Sequence, residues 1–201
     1  MPFIETDGRR VLFVHIPKTG GSTVEYWLQS IAPLRLHTVG LPPMLKCTPQ
    51  HLRLVDIRSL LGQDYFTYMF ALVRNPYDRI ASEYRMRATI QRGSFFKLWP
   101  TFSLWLEDNL GKQTTNSFHY DNHLRPQWEF IGSGLEIFRL EDGVEMAVER
   151  AARHMGVSPP RALERKLGTA DSGVVVEWDK SDRLRVQEHY ARDFREFGYS
   201  M

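Results

Sequence analysis

Residues 66–73 are apolar nearly throughout, and this run constrains the fold more than any other part of the chain. A strand with one wet face alternates apolar and polar residues, whereas a continuous apolar strand must be covered on both faces, as in a parallel sheet with helices on each side. The run stops at Arg74. Asn75 followed by Pro76 then supplies an N-cap and a proline at the first helical position, so the spacing predicts a helix from residue 76 to about residue 92. Residues 11–15 form a second strand-like run, ending in Pro17-Lys18-Thr19-Gly20-Gly21. Residues 22–32 then carry Val24, Trp27, Leu28 and Ile31 at helical spacing until Pro33 stops them. The succession strand, loop, helix is thus written twice.

The rest of the chain extends the alternation. After a stretch punctuated by Pro42, Pro43 and Pro49, residues 50–61 predict a helix on Leu52, Val55, Ile57, Leu60 and Leu61, closed by Gly62. Residues 94–106 hold an apolar stripe of Phe95, Leu98, Trp99, Phe102, Trp105 and Leu106, with Pro100 as a break. Residues 111–126 lack apolar periodicity and read as a long ordered loop. A strand at 135–140, a helix at 142–155, a short strand at 174–178 and an amphipathic helix at 181–197 complete the pattern. The expectation is an α/β fold: one domain over residues 1–201, with a central, mainly parallel sheet flanked by helices.

Composition excludes several alternatives. The chain has 201 residues, 42% hydrophobic and 25% charged, enough for one core without covalent staples. An aromatic content of 12% argues against disorder, and Cys47, the only cysteine, cannot form an internal disulfide and suits a reducing compartment. No apolar stretch approaches the ~20 residues of a membrane span. Arg9 and Arg10 precede only a short apolar run, so no secretory signal is read and a cytoplasmic location is expected. The net charge of +2 is unevenly spread: residues 1–100 hold 13 Lys+Arg against 7 Asp+Glu, and residues 101–201 hold 13 against 17. Uneven surface decoration explains this as readily as an anion site does, and nothing in it suggests a nucleic acid partner.

The loop around Lys18 favours the anion site. Between a strand and a helix, Gly20 and Gly21 let the backbone approach a ligand, the helix N-terminus presents N–H groups, and Lys18 adds a full charge. Thr19, Ser22 and Thr23 offer hydroxyls. A capping box, Ser22-Thr23-Val24-Glu25, would account for Ser22 and Glu25 but not for Lys18 or the paired glycines. The loop is not that of the nucleoside triphosphatases, where the lysine follows the glycines. Those proteins also need a strand-end acid for Mg²⁺, and here the second strand delivers Arg74. The pattern suits an anion held without a metal. Arg74, at a strand's carboxyl end, and Ser82, in the next helix, lie where open α/β sheets bind ligands.

These residues carry a family resemblance. Pro17-Lys18-Thr19-Gly20-Gly21-Ser22-Thr23 resembles the 5′-phosphosulfate loop of the Golgi-type (family 2) carbohydrate sulfotransferases and their bacterial relatives. Val73-Arg74-Asn75-Pro76-Tyr77-Asp78-Arg79, with Ser82 following, resembles their 3′-phosphate motif. His123-Leu124-Arg125-Pro126-Gln127 is similar to a downstream element of the same proteins, Phe138-Arg139-Leu140-Glu141-Asp142 to a strand-end signature, and residues 190–199 to their C-terminal segment. The resemblance implies a P-loop-like domain that takes 3′-phosphoadenosine 5′-phosphosulfate (PAPS) as sulfate donor, releases adenosine 3′,5′-bisphosphate and needs no metal. Lys18, Thr19, Gly20, Gly21, Ser22, Thr23, Arg74 and Ser82 would hold the donor, with Lys18 also catalytic. The implied acceptor is a carbohydrate or glycolipid. Animal relatives carry a membrane anchor, so a bacterial cytoplasmic enzyme is expected, with an excised catalytic domain as the alternative.

An alcohol acceptor needs a base. His51 is the first candidate, because sulfotransferases acting at the 2-O position of uronic acids are similar in carrying a catalytic histidine at nearly this distance from the corresponding arginine. His123 is the second, in the polar loop; Glu83 and Asp121 rank below. His15 reads as structural, His154 and His189 as surface residues, and His37 and His119 lack context. For the acceptor, His123, Arg125 and Gln127 are the candidate binding residues, among neighbours Gln113, Asn116, His119, Asp121 and Asn122. Phe95, Trp99 and Trp105 are either a stacking surface or, by the usual burial of aromatics, core. Two other functions fit less well: a divergent nucleotide kinase or NTPase, and a non-catalytic module that binds a nucleotide and a glycan.

Overall fold

In the computed structural model, which describes residues 1–37, 40–92, 99–163 and 173–201, the chain opens with strands β1 (Phe3–Thr6) and β2 (Arg9–Val14). They pair antiparallel, with Thr6 opposite Arg9, through the two-residue turn Asp7-Gly8. Both turn residues have positive φ, 48° and 72°, as the tightest hairpins require. There follow α1 (Gly21–Gln29), a 3₁₀ turn at Pro49–His51, α2 (Leu54–Leu61), β3 (Tyr68–Val73), α3 (Pro76–Arg92), α4 (Phe102–Thr115), β4 (Glu136–Arg139), α5 (Val144–Met155), α6 (Lys180–His189) and α7 (Ala191–Phe197). The sheet order is β1-β2-β3-β4, and β3 runs parallel to both β2 and β4. A mainly parallel α/β sheet, expected from the sequence, is what forms; β1 and its hairpin are additional to that reading.

Two compact units share the chain. Met1–Arg74 with Glu129–Lys166 contains the whole sheet with α1, α2 and α5; Asn75–Trp128 with Leu167–Met201 contains α3, α4, α6 and α7. In the first, all six residues of β3 are buried. Tyr68, Phe70 and Leu72 point to one face with Val11 and Phe13 of β2, and meet Val24, Trp27 and Leu28 of α1 and Ala147, Val148, Ala151 and Met155 of α5. Small residues on α5 let that helix lie close to the strands. Phe70, with no exposed surface, has its ring centroid 5.1 Å from that of Phe13 and 5.7 Å from that of Tyr68.

In the second unit, Ile80, Tyr84 and Ala88 recur every four residues along α3 and pack with Phe102, Trp105, Leu106 and Leu110 of α4 and Val186, Tyr190 and Phe194 of the C-terminal segment. Trp99 and Trp105 belong to this core and its margin, so they are packing residues, while Phe95 and Leu98 lie outside the described residues. Several boundaries differ from expectation: the helix expected from residue 50 starts at Leu54, after the 3₁₀ turn Pro49–His51, and the helix expected to residue 32 ends at Gln29. Residues 111–115 continue α4, so the polar loop begins at Asn116. Residues 174–178 form no strand; the Val174 carbonyl accepts from Arg85 Nε at 3.3 Å, a side-chain partner in place of a ladder. The segment 181–197 is two helices broken at Tyr190, where ψ is 22° and φ −110°, although the apolar spacing runs through the break. No helix among the described residues is long and apolar enough to cross a membrane.

Candidate functional site

The loop after β2 is built by close contacts. The Thr19 hydroxyl donates to the Ile16 carbonyl at 2.8 Å and is fully buried, so its proton ties the loop together. Lys18 adopts the left-handed conformation, φ 68°, which disfavours any residue with a Cβ and marks a backbone held by its surroundings. Part of that hold comes from Arg74, whose Nη1 donates to the Lys18 carbonyl at 3.3 Å. The strand-end arginine thus reaches the backbone of the loop lysine, 56 residues away in the chain.

Gly20 is required by its backbone conformation and Gly21 by space. Gly20, the N-cap of α1, has φ 85°, and a Cβ there would lie 2.8 Å from Leu140 Cδ1. At Gly21 a Cβ would fall 2.6 Å from His15 Nε2 and 2.8 Å from both neighbouring ring carbons. No side chain caps α1, so the proposed capping box does not form. Ser22 does not bond back to the helix, and Glu25 turns inward instead. Its carboxylate, 4% exposed, bonds His15 Nδ1, accepts twice from Gln50 Nε2 at 2.9 and 3.0 Å, and lies 3.3 Å from His37 Nε2. Burial alone would raise the Glu25 pKa, but the adjacent imidazole of His15, the Gln50 amide and His37 outweigh it and hold the group below the ordinary glutamate value. The N-cap of α1 is thus a glycine with no side chain to offer, and the Thr23 N–H bonds the Gly20 carbonyl at 3.2 Å.

His51 lies in the 3₁₀ turn before α2, 8% exposed, with Nδ1 3.4 Å from the Thr48 hydroxyl. Its ring meets His15 edge to face, centroids 5.2 Å apart. The sequence singled out His15 and His51 separately; the cluster of His15 with Glu25 and Gln50, against which the His51 ring lies edge to face, was missed. The sequence read Glu25 only as part of a capping box, and Gln50 had no distinguishing feature.

In the second unit, Asn75 Oδ1 accepts from the Tyr77 N–H at 2.9 Å, the cap read from Asn-Pro. Ser82 is buried on α3. Arg79 is 1% exposed, and its Nη2 donates to the carbonyls of His123 at 2.7 Å and Arg125 at 2.9 Å. The other end of that loop is held by Asp193, which accepts from the N–H groups of Gln127 and Trp128 at 2.8 and 2.9 Å, and by the Tyr190 hydroxyl on the Leu124 carbonyl at 2.7 Å. Of the three expected acceptor residues, Gln127 is fully buried and Arg125 nearly so, with Nε on Asn122 Oδ1 at 2.9 Å. They organise the loop from inside. His123 keeps side-chain surface, and its Nδ1 meets Glu83 at 2.7 Å.

A sequence profile of the sulfotransferase family matches residues 1–200, which spans both units. The chain belongs to the sulfotransferase family, whose chemistry is the transfer of a sulfuryl group. No curated protein and no solved structure matches it.

Proposed function

We propose that the chain transfers the sulfuryl group of PAPS to a hydroxyl of a carbohydrate or glycolipid, and that residues 1–201 act as one sulfotransferase domain. The observation that carries the donor assignment is the bond from Arg74 to the Lys18 carbonyl, beside a helix start with no side-chain cap. It holds the Arg74 guanidinium against the backbone of the loop that carries Lys18, and a nucleotide with separate 5′ and 3′ anions calls for cations there. Backbone N–H groups of Gly20 to Thr23 would hold the 5′-phosphosulfate and Arg74, with Ser82 by resemblance, the 3′-phosphate. In the transfer, the acceptor oxygen forms a bond to sulfur as the bond from sulfur to the bridging oxygen breaks. Lys18 neutralises the charge that builds on that bridging oxygen, and His51 takes the hydroxyl proton. A sulfuryl group carries one fewer negative charge than a phosphoryl group, so these cations meet the need without a metal in the proposed mechanism.

Sulfate transfer from PAPS to a panel of methyl glycosides, measured for Lys18→Ala and His51→Ala, tests this. Each variant is expected to lose roughly 10²–10³-fold in kcat, the usual cost of removing a charge-stabilising or proton-accepting group. Full turnover by Lys18→Ala would refute the donor site. Full turnover by His51→Ala would move the base elsewhere.

A further inference from the structure

Between α1 and the 3₁₀ turn at Pro49–His51, the first unit carries an exposed turn without a polar side chain: residues 40–45 read Gly-Leu-Pro-Pro-Met-Leu. The Leu45 N–H donates to the Pro42 carbonyl at 3.0 Å, which puts Pro43 and Met44 at the two central positions of the turn, with the proline where its fixed φ is preset for turning. Met44 is 93% exposed, Leu41 57% and Leu45 37%. Single exposed apolar residues are ordinary, but three within five positions of a turn are a marked surface. The turn is held at both ends. Before it, Arg35 exchanges two backbone bonds with Phe3, at 2.8 and 3.1 Å; after it, residues 47–52 are all buried. Charge around the turn is one-sided as well. Residues 26–55 include Arg35, Lys46 and Arg53 and no Asp or Glu, and Arg35 and Lys46 are exposed. Lys46 directly follows the apolar tip, the order in which a lysine lays its alkyl stem along an apolar phase and keeps its ammonium among polar headgroups.

We propose that the turn at residues 41–46 enters the surface of an anionic lipid bilayer, with Leu41, Met44 and Leu45 at the boundary of the acyl chains and Arg35 and Lys46 on the lipid phosphates. A tip that exposes nearly all of Met44 suits a deformable apolar phase, whereas a folded protein has to supply a matching hole. The acid-free flanks match anionic headgroups. Met44 is seven residues from His51, so even fully extended chain leaves them no more than about 25 Å apart. An acceptor hydroxyl at His51 therefore lies close enough to that surface to belong to a lipid-borne sugar. The lipid contact stands on the turn alone; that the acceptor is then a glycolipid and not a free glycan rests on the proposed sulfotransfer.

Cosedimentation with vesicles of mixed phosphatidylglycerol and phosphatidylcholine reads the contact. The wild type is expected to bind them, and to bind pure phosphatidylcholine roughly ten-fold more weakly. Met44→Ser with Leu45→Ser should weaken binding by about ten-fold or more, and Lys46→Gln by about five-fold, with the urea midpoint unchanged because these side chains are exposed. In ¹³C-methyl spectra, a nitroxide on the lipid tails should broaden Met44 and spare Met146 and Met201, which are 56% and 63% exposed elsewhere in the chain. Sulfate transfer from PAPS to a long-chain alkyl glycoside anchored in the vesicles should fall in the double variant, while transfer to the methyl glycoside should not. A wild type that binds neither kind of vesicle overturns the proposal, as does equal binding by the double variant or broadening of Met146 or Met201 in place of Met44. Met44 shifts that follow protein concentration without vesicles, and no lipid binding, assign the turn to a second copy of the chain and overturn it too. Vesicle binding with no sulfate moved to either glycoside refutes the sulfotransfer reading and leaves the lipid contact standing; equal transfer to the anchored glycoside by the double variant refutes the glycolipid acceptor.

Discussion

Replacing Gly21 by alanine puts a methyl group 2.6 Å from His15 Nε2, inside the contact distance of any carbon and nitrogen pair. Ring movement is the only cheap escape, and the ring is not free to take it. Nδ1 is bonded to Glu25, His51 lies edge-on to the ring, and His15 is only 6% exposed. Overpacking of this kind costs about 1–3 kcal/mol. Against it stands the helix preference for alanine over glycine, about 0.5–1 kcal/mol. The balance is a net loss of about 1–2 kcal/mol, a fall in Tm of roughly 2–8 °C for a chain of this size. Urea unfolding should show a lower midpoint at unchanged slope, and adenosine 3′,5′-bisphosphate should bind more weakly, because the methyl displaces the loop it enters. His15→Ala made in the same chain removes the obstacle, so alanine at position 21 should then cost little or even stabilise. If Gly21→Ala alone were more stable than the wild type, by the helix term, the packing of His15 on this loop would be wrong.

Two other perturbations test the second unit. Arg79→Met leaves the carbonyls of His123 and Arg125 without their buried donor, and should cost about 3 kcal/mol by urea unfolding, with faster hydrogen exchange at residues 123–128; a loss below about 1 kcal/mol would mean the loop holds itself. His189, where burial and then the charge of Arg79 push the pKa down to about 4, is kept neutral by the fold. The unfolded histidine takes its proton near 6.5, so stability is complete above that pH and drains as pH falls toward 4, by about 3 kcal/mol. His189→Gln should flatten that slope between pH 6.5 and 4, and an unchanged slope would assign it to other groups.

What the sequence disclosed was what periodicity and local chemistry carry. The buried strand, the Asn75 cap and the helix of residues 76–92 are each written in a few adjacent residues, and each forms where expected. The hairpin of β1 was also legible, since Asp-Gly between short apolar runs is a strong turn signal, but Phe3–Thr6 is short and its Glu5 and Thr6 masked the alternation. The break at Tyr190 was not legible, because Val186, Tyr190 and Phe194 keep helical spacing across it. At the break the Tyr190 hydroxyl donates to the Leu124 carbonyl, 66 residues away, and no local pattern encodes that partner. The site divides in the same way. Lys18, Gly20, Gly21 and Arg74 announce themselves by motif, whereas Glu25, Gln50 and Glu83 act through partners 10 to 40 residues distant.

The motif Arg74-Asn75-Pro76-Tyr77-Asp78-Arg79 illustrates why a pattern can be recognised before it is understood. Its two arginines, five residues apart, do different work because one ends a strand and the other lies in the first turn of a helix. Arg74 reaches the Lys18 carbonyl and braces the donor loop. Arg79 turns into the second unit and holds the carbonyls of His123 and Arg125, 44 and 46 residues on. Neither bond is to a side chain, so no particular residue type at the partner position is needed, and no pairwise pattern would expose the link. The requirement falls on the arginines alone: each must carry a charge that burial cannot neutralise and several donors in a fixed plane, which lysine lacks. A motif that reads as one binding element is, physically, two braces, one for the loop proposed to hold the donor and one for the loop that carries His123 and Arg125.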